Sequence, residues 1–112
     1  MEKYLYKAYN TIYESEEIFV HKQTEGNDII EIKMYRVPIS EKNREGISYS
    51  LVFVRNEERV VGYDNCEKHE KDGNAHHKHI KDKIVPYVFT DEWKLLQDFN
   101  KDVEKTKREL TQ

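Results

Sequence analysis

Two runs of this chain alternate strictly between apolar and polar side chains, IIEIKMYRV at 29–37 and ISYSLVFVR at 47–55. A period of two is that of a half-buried strand, so Ile30, Ile32 and Met34 share one face of the first run. Ile47, Tyr49, Leu51 and Phe53 share one face of the second. Each run has a strand neighbour across turn residues: IFVHKQ leads into the first through EGND, and VVGYDN follows the second through NEER. Two tight hairpins in a row commit the middle of the chain to an antiparallel sheet. Pro38 ends the first run because proline brings no N–H to a ladder, and ISEKNREG is a polar connection.

The flanks read as helices. EKYLYKAYNTIYESEE puts Leu5, Ala8 and Ile12 at helical spacing, which predicts a short N-terminal helix. After the hairpins comes a polar segment from Cys66 to Lys83, then IVPYVF, which Pro86 keeps extended and which suits a short edge strand. Thr90 can cap a second helix, and Asp91 and Glu92 suit its positive end. Trp93, Leu96, Phe99, Val103 and Leu110 then recur at helical spacing, with Trp93 and Phe99 expected in the core. At 112 residues the chain is expected to be one domain, 1–112. The fold expected is α+β: an N-terminal helix, a four- to five-stranded mostly antiparallel sheet, and a long C-terminal helix packed on one face.

A net charge of -3 removes whole-molecule attraction to nucleic acid, although 19 basic residues leave room for a local basic patch. The one cysteine, Cys66, cannot form an internal disulfide, the sequence has no long apolar run, and no leader is expected. The expected setting is a reducing cytoplasm, with no membrane contact.

Candidate chemistry concentrates in GYDNCEKHEKDGNAHHKHIKDK, residues 62–83, which hold four of the five histidines. If HHKHI is extended, His77 and His79 project together and Lys78 turns the other way, beside His76. Three readings compete. A histidine pair suits acid and base work near neutral pH, since imidazole titrates at about 6.5. Cleavage of RNA by its own 2′-hydroxyl needs a base, an acid and a cation for the phosphorane charge, and no cofactor. Alternatively His77 and His79 hold a metal ion, with Asp64 or His69 completing the shell, although H-x-H alone is a weak ligand signature. The third reading is a solvated loop that merely tolerates histidines.

The neighbours divide in the same way. Tyr63, Asp64 and Asn65 sit at a strand end, where they either line a site or serve turn chemistry. Arg36 falls on the apolar face of its strand, so it either leaves the core at the rim or reaches phosphate or Asp64. Tyr87 lies between Pro86 and Val88, where packing is the commoner role. Cys66 lacks an activating partner at fixed spacing.

The order MYRVP at 34–38, then YSLVFV, GYDN, HHKHI, VPYVF and LLQDF resembles the TumE family, the toxin half of a prokaryotic toxin–antitoxin pair. The likeness runs from about residue 29 to 103, and YDN paired with H-x-H is its most specific part. The resemblance implies a growth inhibitor neutralised by a neighbouring antitoxin, usually one with a helix-turn-helix. In outline the fold is also similar to small RNA-cleaving toxins of the RelE and barnase-like kind.

The leading expectation is a metal-independent endoribonuclease toxin. His77, His79 and Asp64 would do the chemistry, and Arg36, Tyr63, Asn65, His76, Lys78 and Tyr87 would line the RNA site. Two alternatives stand beside it: a metal-dependent nuclease or hydrolase using the same histidines, and a non-enzymatic toxin that docks a partner through Tyr4, Tyr6, Tyr9 and Tyr13. A homodimer through strand pairing at IVPYVF is the expected assembly, with Pro86 blunting that edge.

Overall fold

The computed structural model describes residues 3–8, 11–41, 43–65 and 76–111, and side chains from Ser15 onward. Seven strands and one helix follow in order: β1 (Lys3–Ala8), β2 (Thr11–Glu25), β3 (Asp28–Arg36), β4 (Ile47–Arg55), β5 (Glu58–Asp64), β6 (His77–Ile80), β7 (Lys83–Pro86) and α1 (Glu92–Leu110). Every strand pairs antiparallel with its sequence neighbours, so the sheet order is β1 to β7.

Two expectations are corrected here. The N-terminal segment is a hairpin, not a helix: Lys3–Ala8 pairs with Thr11–Glu16. Leu5, Ala8 and Ile12 do keep helical spacing, but Tyr4, Tyr6, Thr11, Ile12 and Tyr13 are aromatic or β-branched. Such residues fit a pleated surface, and β3 offers β2 a whole edge to pair with. The sheet is also larger than four or five strands. β2 to β7 form six, and β1 adds a seventh at the edge. The strand expected from Ile18 starts at Thr11, with a register shift between Glu17 and Phe19 where the period changes.

The remaining elements follow local chemistry. Asn56 and Glu57 both have positive φ, 53° and 68°, as a two-residue hairpin turn matched to strand twist requires. The β3–β4 connection closes on Asn43, whose side chain accepts from Gly46 N (3.0 Å) and donates to Ile47 O (2.8 Å). Gly46, at φ +69°, cannot be replaced cheaply, because a Cβ there would lie 2.9 Å from Ile39 Cγ1 and 3.1 Å from the Val37 carbonyl.

The N-cap of α1 is Asp91, not Thr90, and its carboxylate accepts from Lys94 N at 2.8 Å. This start puts Leu95, Phe99, Val103 and Thr106 on the sheet. Trp93 is therefore outside the core, 77% exposed, because two residues turn a helix by about 200°. Leu110 is exposed as well, while Leu96 is partly buried against the core. Beneath the helix lie Ile32, Met34, Tyr49, Leu51, Phe53, Val61 and Tyr63, which form the core with Leu95, Phe99 and Val103.

Register divides the sheet into two faces. The row His21–Ile32–Leu51–Tyr63–Lys78–Val85 belongs to the face under α1. The next row, Val20–Lys33–Ser50–Asp64–His77–Pro86, belongs to the opposite face. Only the first is covered by a described helix.

Candidate functional site on the open sheet face

The open face mixes apolar and polar side chains: Val52 and Ile84 share one row with Glu31, Gly62 and His79, and the next row is more polar. β4 contributes Ser48 and Ser50 where β3 contributes Lys33 and Tyr35, and the register sets Tyr35 opposite Ser48 and Ser50 opposite Asp64. Asp64 in turn faces His77, and Gly62 faces His79. Small or polar side chains thus run across four strands to the histidine pair. Ser15, Ser48 and His77 are buried, His77 to 1% exposure.

HKHI is a strand, so His77 and His79 share this face. His79 Nε2 lies 3.1 Å from Asp64 Oδ2, a diagonal contact between β6 and β5, with the two side chains 12% and 24% exposed. The side chain opposite His79 is missing because that residue is Gly62. Its place is taken by Arg59: a Cβ on Gly62 would meet Arg59 Cδ at 3.0 Å, Nε at 3.3 Å and Cζ at 3.6 Å. A guanidinium therefore lies across the open face beside the histidine–carboxylate pair. Among the described residues Arg59 has no ion-pair partner.

The other expected site residues occupy different places. Tyr63 and Lys78 lie under α1, where the Tyr63 hydroxyl donates to Asp102 and Lys78 Nζ lies 3.4 Å from the same carboxylate. Burial and the Asp102 carboxylate together push the Tyr63 phenol well above its ordinary range. Tyr87 packs edge-on to Tyr63, with ring centroids 5.0 Å apart, and donates to Asp98 at 2.6 Å. Its phenol is likewise raised, first by burial and then by Asp98.

His76 is stacked on Phe89 at 5.0 Å, with Nδ1 2.9 Å from the Tyr49 hydroxyl and Nε2 beside Glu45. Asn65 extends the β4–β5 pairing beyond Asp64: its side chain accepts from Tyr49 N (3.0 Å) and donates to Ile47 O (2.6 Å). Arg36 ends β3 and is exposed. Cys66, His69 and Tyr9 lie outside the described residues.

Among the described residues no three His, Cys, Asp or Glu side chains converge as a metal-ligand set. Two histidine–carboxylate pairs do form, His79–Asp64 and His76–Glu45, and the first has His77 on the same strand face and Arg59 alongside. Arg59, Ser48, Ser50 and Lys33 were missed in the sequence. Two signals pointed to them: two serines in the polar phase of the β4 alternation, and the spacing R-x-x-G-x-D on β5.

A family model described as Toxin TumE matches residues 1–107. The chain belongs to the TumE toxin family. No curated protein and no solved structure matches it. Membership of a TumE toxin family supports a toxin role and, in general, an antitoxin partner. Among the described residues of this TumE chain, no helix is long and apolar enough to cross a membrane.

Proposed function

We propose that this TumE toxin is a metal-independent endoribonuclease whose reaction takes place on the open face of the sheet. The observation that carries the reading is the Asp64–His79 contact, with His77 on the same strand face and Arg59 lying over Gly62. With His79 Nε2–H donating to Asp64, the carboxylate orients the imidazole, and His79 acts as the base. His79 removes the proton of an RNA 2′-hydroxyl, and the oxygen attacks the adjacent phosphorus. The P–O5′ bond breaks, and the departing 5′ oxygen takes a proton from His77, which is 1% exposed and has to be uncovered when RNA binds. The products are a 2′,3′-cyclic phosphate and a 5′-hydroxyl.

Arg59 supplies the cation. Its planar fork suits two non-bridging phosphate oxygens, and the charge is worth most where it develops in the phosphorane. Lys33, one strand beyond Ser50, is a second cation on the same face, held near Glu31 at 3.5 Å. Lys78 turns to the other face, where Asp102 engages it. A helix-turn-helix antitoxin would silence such an enzyme by covering the open face.

The test is incubation of the purified toxin and its His79→Ala and Arg59→Ala variants with cellular RNA, with and without EDTA, followed by analysis of 3′ ends. Cleavage by wild type that survives EDTA and leaves cyclic phosphate is expected, with both variants strongly impaired. Cleavage that EDTA abolishes, or that both variants retain, overturns the reading.

A further inference from the structure

Seven of the ten charged residues of α1 are sorted by sign into two lines along the helix, and Glu92, Glu104 and Lys107 stand apart from both. At about 100° per residue, Asp98, Asp102 and Glu109 fall on one line along the helix. That line faces the β6–β7 end of the sheet, where each carboxylate is engaged: Asp98 by Tyr87 and Lys94, Asp102 by Tyr63 and Lys78, Glu109 by Lys81. Lys94, Lys101, Lys105 and Arg108 fall on a second line turned further from the core. Lys94 is paired with Asp98. Lys101, Lys105 and Arg108 are exposed, and none has an ion-pair partner among the described residues.

These three cations line one concavity. A shallow depression of about 480 Å³ is bordered by Asn100, Lys101, Asp102, Glu104, Lys105 and Arg108. Asp102 is already engaged by Tyr63 and Lys78, which leaves Glu104 as the one uncommitted carboxylate there. Two turns towards the N-terminus stands Trp93, 77% exposed beside Lys94. A chain of net charge -3 that gathers unpaired cations and an uncovered indole on one helix face has a surface complementary to a polyanion with stackable bases.

We propose that the outward face of α1 docks single-stranded RNA, with Lys101, Lys105 and Arg108 on phosphates and Trp93 stacked on a base. The inference rests on the ribonuclease reading only for the choice of RNA as the polyanion. It also gives that reading a path. The molecule is 25 Å across its thinnest dimension, so at least about seven stacked nucleotides are needed to reach from α1 around the β7 edge to the open face. The helix then supplies affinity, and the opposite face supplies chemistry.

A fluorescein-labelled 2′-O-methyl oligoribonucleotide separates the two ideas, because it lacks the attacking hydroxyl and reports binding alone. Its affinity for wild type, for the Lys101→Gln, Lys105→Gln, Arg108→Gln triple variant and for Trp93→Ala is measured by anisotropy across a salt series. Three phosphate contacts predict that the triple variant lowers the slope of log affinity against log salt by about 2. Its affinity at low salt should fall roughly tenfold or more. Loss of one stacked base predicts a fall of about fivefold or more for Trp93→Ala.

Equal affinity and slope in wild type and triple variant overturn the docking face. So does a polyglutamate peptide that binds as tightly as the oligonucleotide and competes with it, which assigns the face to an acidic protein segment. Intact binding with no cleavage of unmodified RNA overturns the nuclease reading and leaves this one standing.

Discussion

Tyr63 and Asp64 are consecutive residues of β5 on opposite sides of one sheet. The Tyr63 hydroxyl is buried against Asp102 beneath α1, and its proton is held there by burial and a neighbouring carboxylate. Asp64 meets a histidine on the face that no described helix covers. The two faces therefore use polar groups for different ends. Under the helix, Tyr63–Asp102–Lys78 and Tyr87–Asp98–Lys94 tie α1 to the sheet. On the open face, an imidazole, a carboxylate and a guanidinium converge without a large apolar core between them. On the proposed function, stability and chemistry are divided by the pleat, one residue apart.

The sharpest way to break that division is a crossed pair of variants. His79→Ala should reduce RNA cleavage at least 100-fold, the scale of a lost general base, with a melting temperature close to wild type. Phe99→Ala should do the reverse. It empties a fully buried site between Tyr63 and the helix, and such truncations cost about 3–5 kcal/mol of unfolding free energy. Folded Phe99→Ala protein at low temperature should still cleave. A His79→Ala variant that unfolds, or a folded Phe99→Ala variant that is inactive, removes the distinction.

Gly62→Ala tests the open face more finely. The new methyl group would sit 3.0 Å from Arg59 Cδ, which is flexible, so the guanidinium moves and the strand stays. Cleavage should fall about tenfold, the scale of 1.4 kcal/mol in the barrier. The urea midpoint should hardly change. Rescue of activity by a second change, Arg59→Lys, would place the effect in the displaced fork rather than in the strand.

How much of this could be read from the chain follows the same division. β3, β4 and α1 announce themselves because one face of each is buried, and burial leaves a period in the sequence. The N-terminal hairpin does not, because Leu5, Ala8 and Ile12 satisfy a helix as well as a strand, and its pairing with β3 through β2 is a tertiary choice. H-x-H on a strand was legible, and so was its orientation away from Lys78. The partner of His79 was named only as a member of a cluster. Its contact with Asp64 depends on the β5–β6 register across a connection whose length carries no register information. Arg59 was harder to read: it reaches the site through the absence of a side chain at Gly62, which the spacing R-x-x-G-x-D marks only once the β5 register is known.

Under the helix, Tyr63→Phe should cost about 1 kcal/mol of stability, since Asp102 keeps Lys78 when it loses the hydroxyl. Cleavage should be unchanged. An activity loss without a stability loss would move Tyr63 from the packing side of the comparison to the chemical side.

The smallest effect expected is a pH dependence confined to the covered face. Burial raises the Asp98 carboxyl, but hydrogen bonds from Lys94 and Tyr87 outweigh it and hold the group below its ordinary value. A carboxyl with a depressed folded pKa binds protons less readily folded than unfolded, so its contribution is present above the unfolded value of about 3.9. That contribution is lost as pH falls through the folded value. Urea midpoints for wild type and Asp98→Asn should therefore differ by a constant amount from pH 7 to about 5 and converge as pH drops below about 4. Added salt should narrow the gap, because Lys94 is half exposed and its share is screened. The Asp64–His79 pair lies across the sheet from this carboxylate, so Asp98→Asn should leave the neutral-pH cleavage profile where wild type has it. A shifted profile would mean that the helix-side hydrogen bonds set the geometry of the open face, and that the pleat does not insulate one from the other.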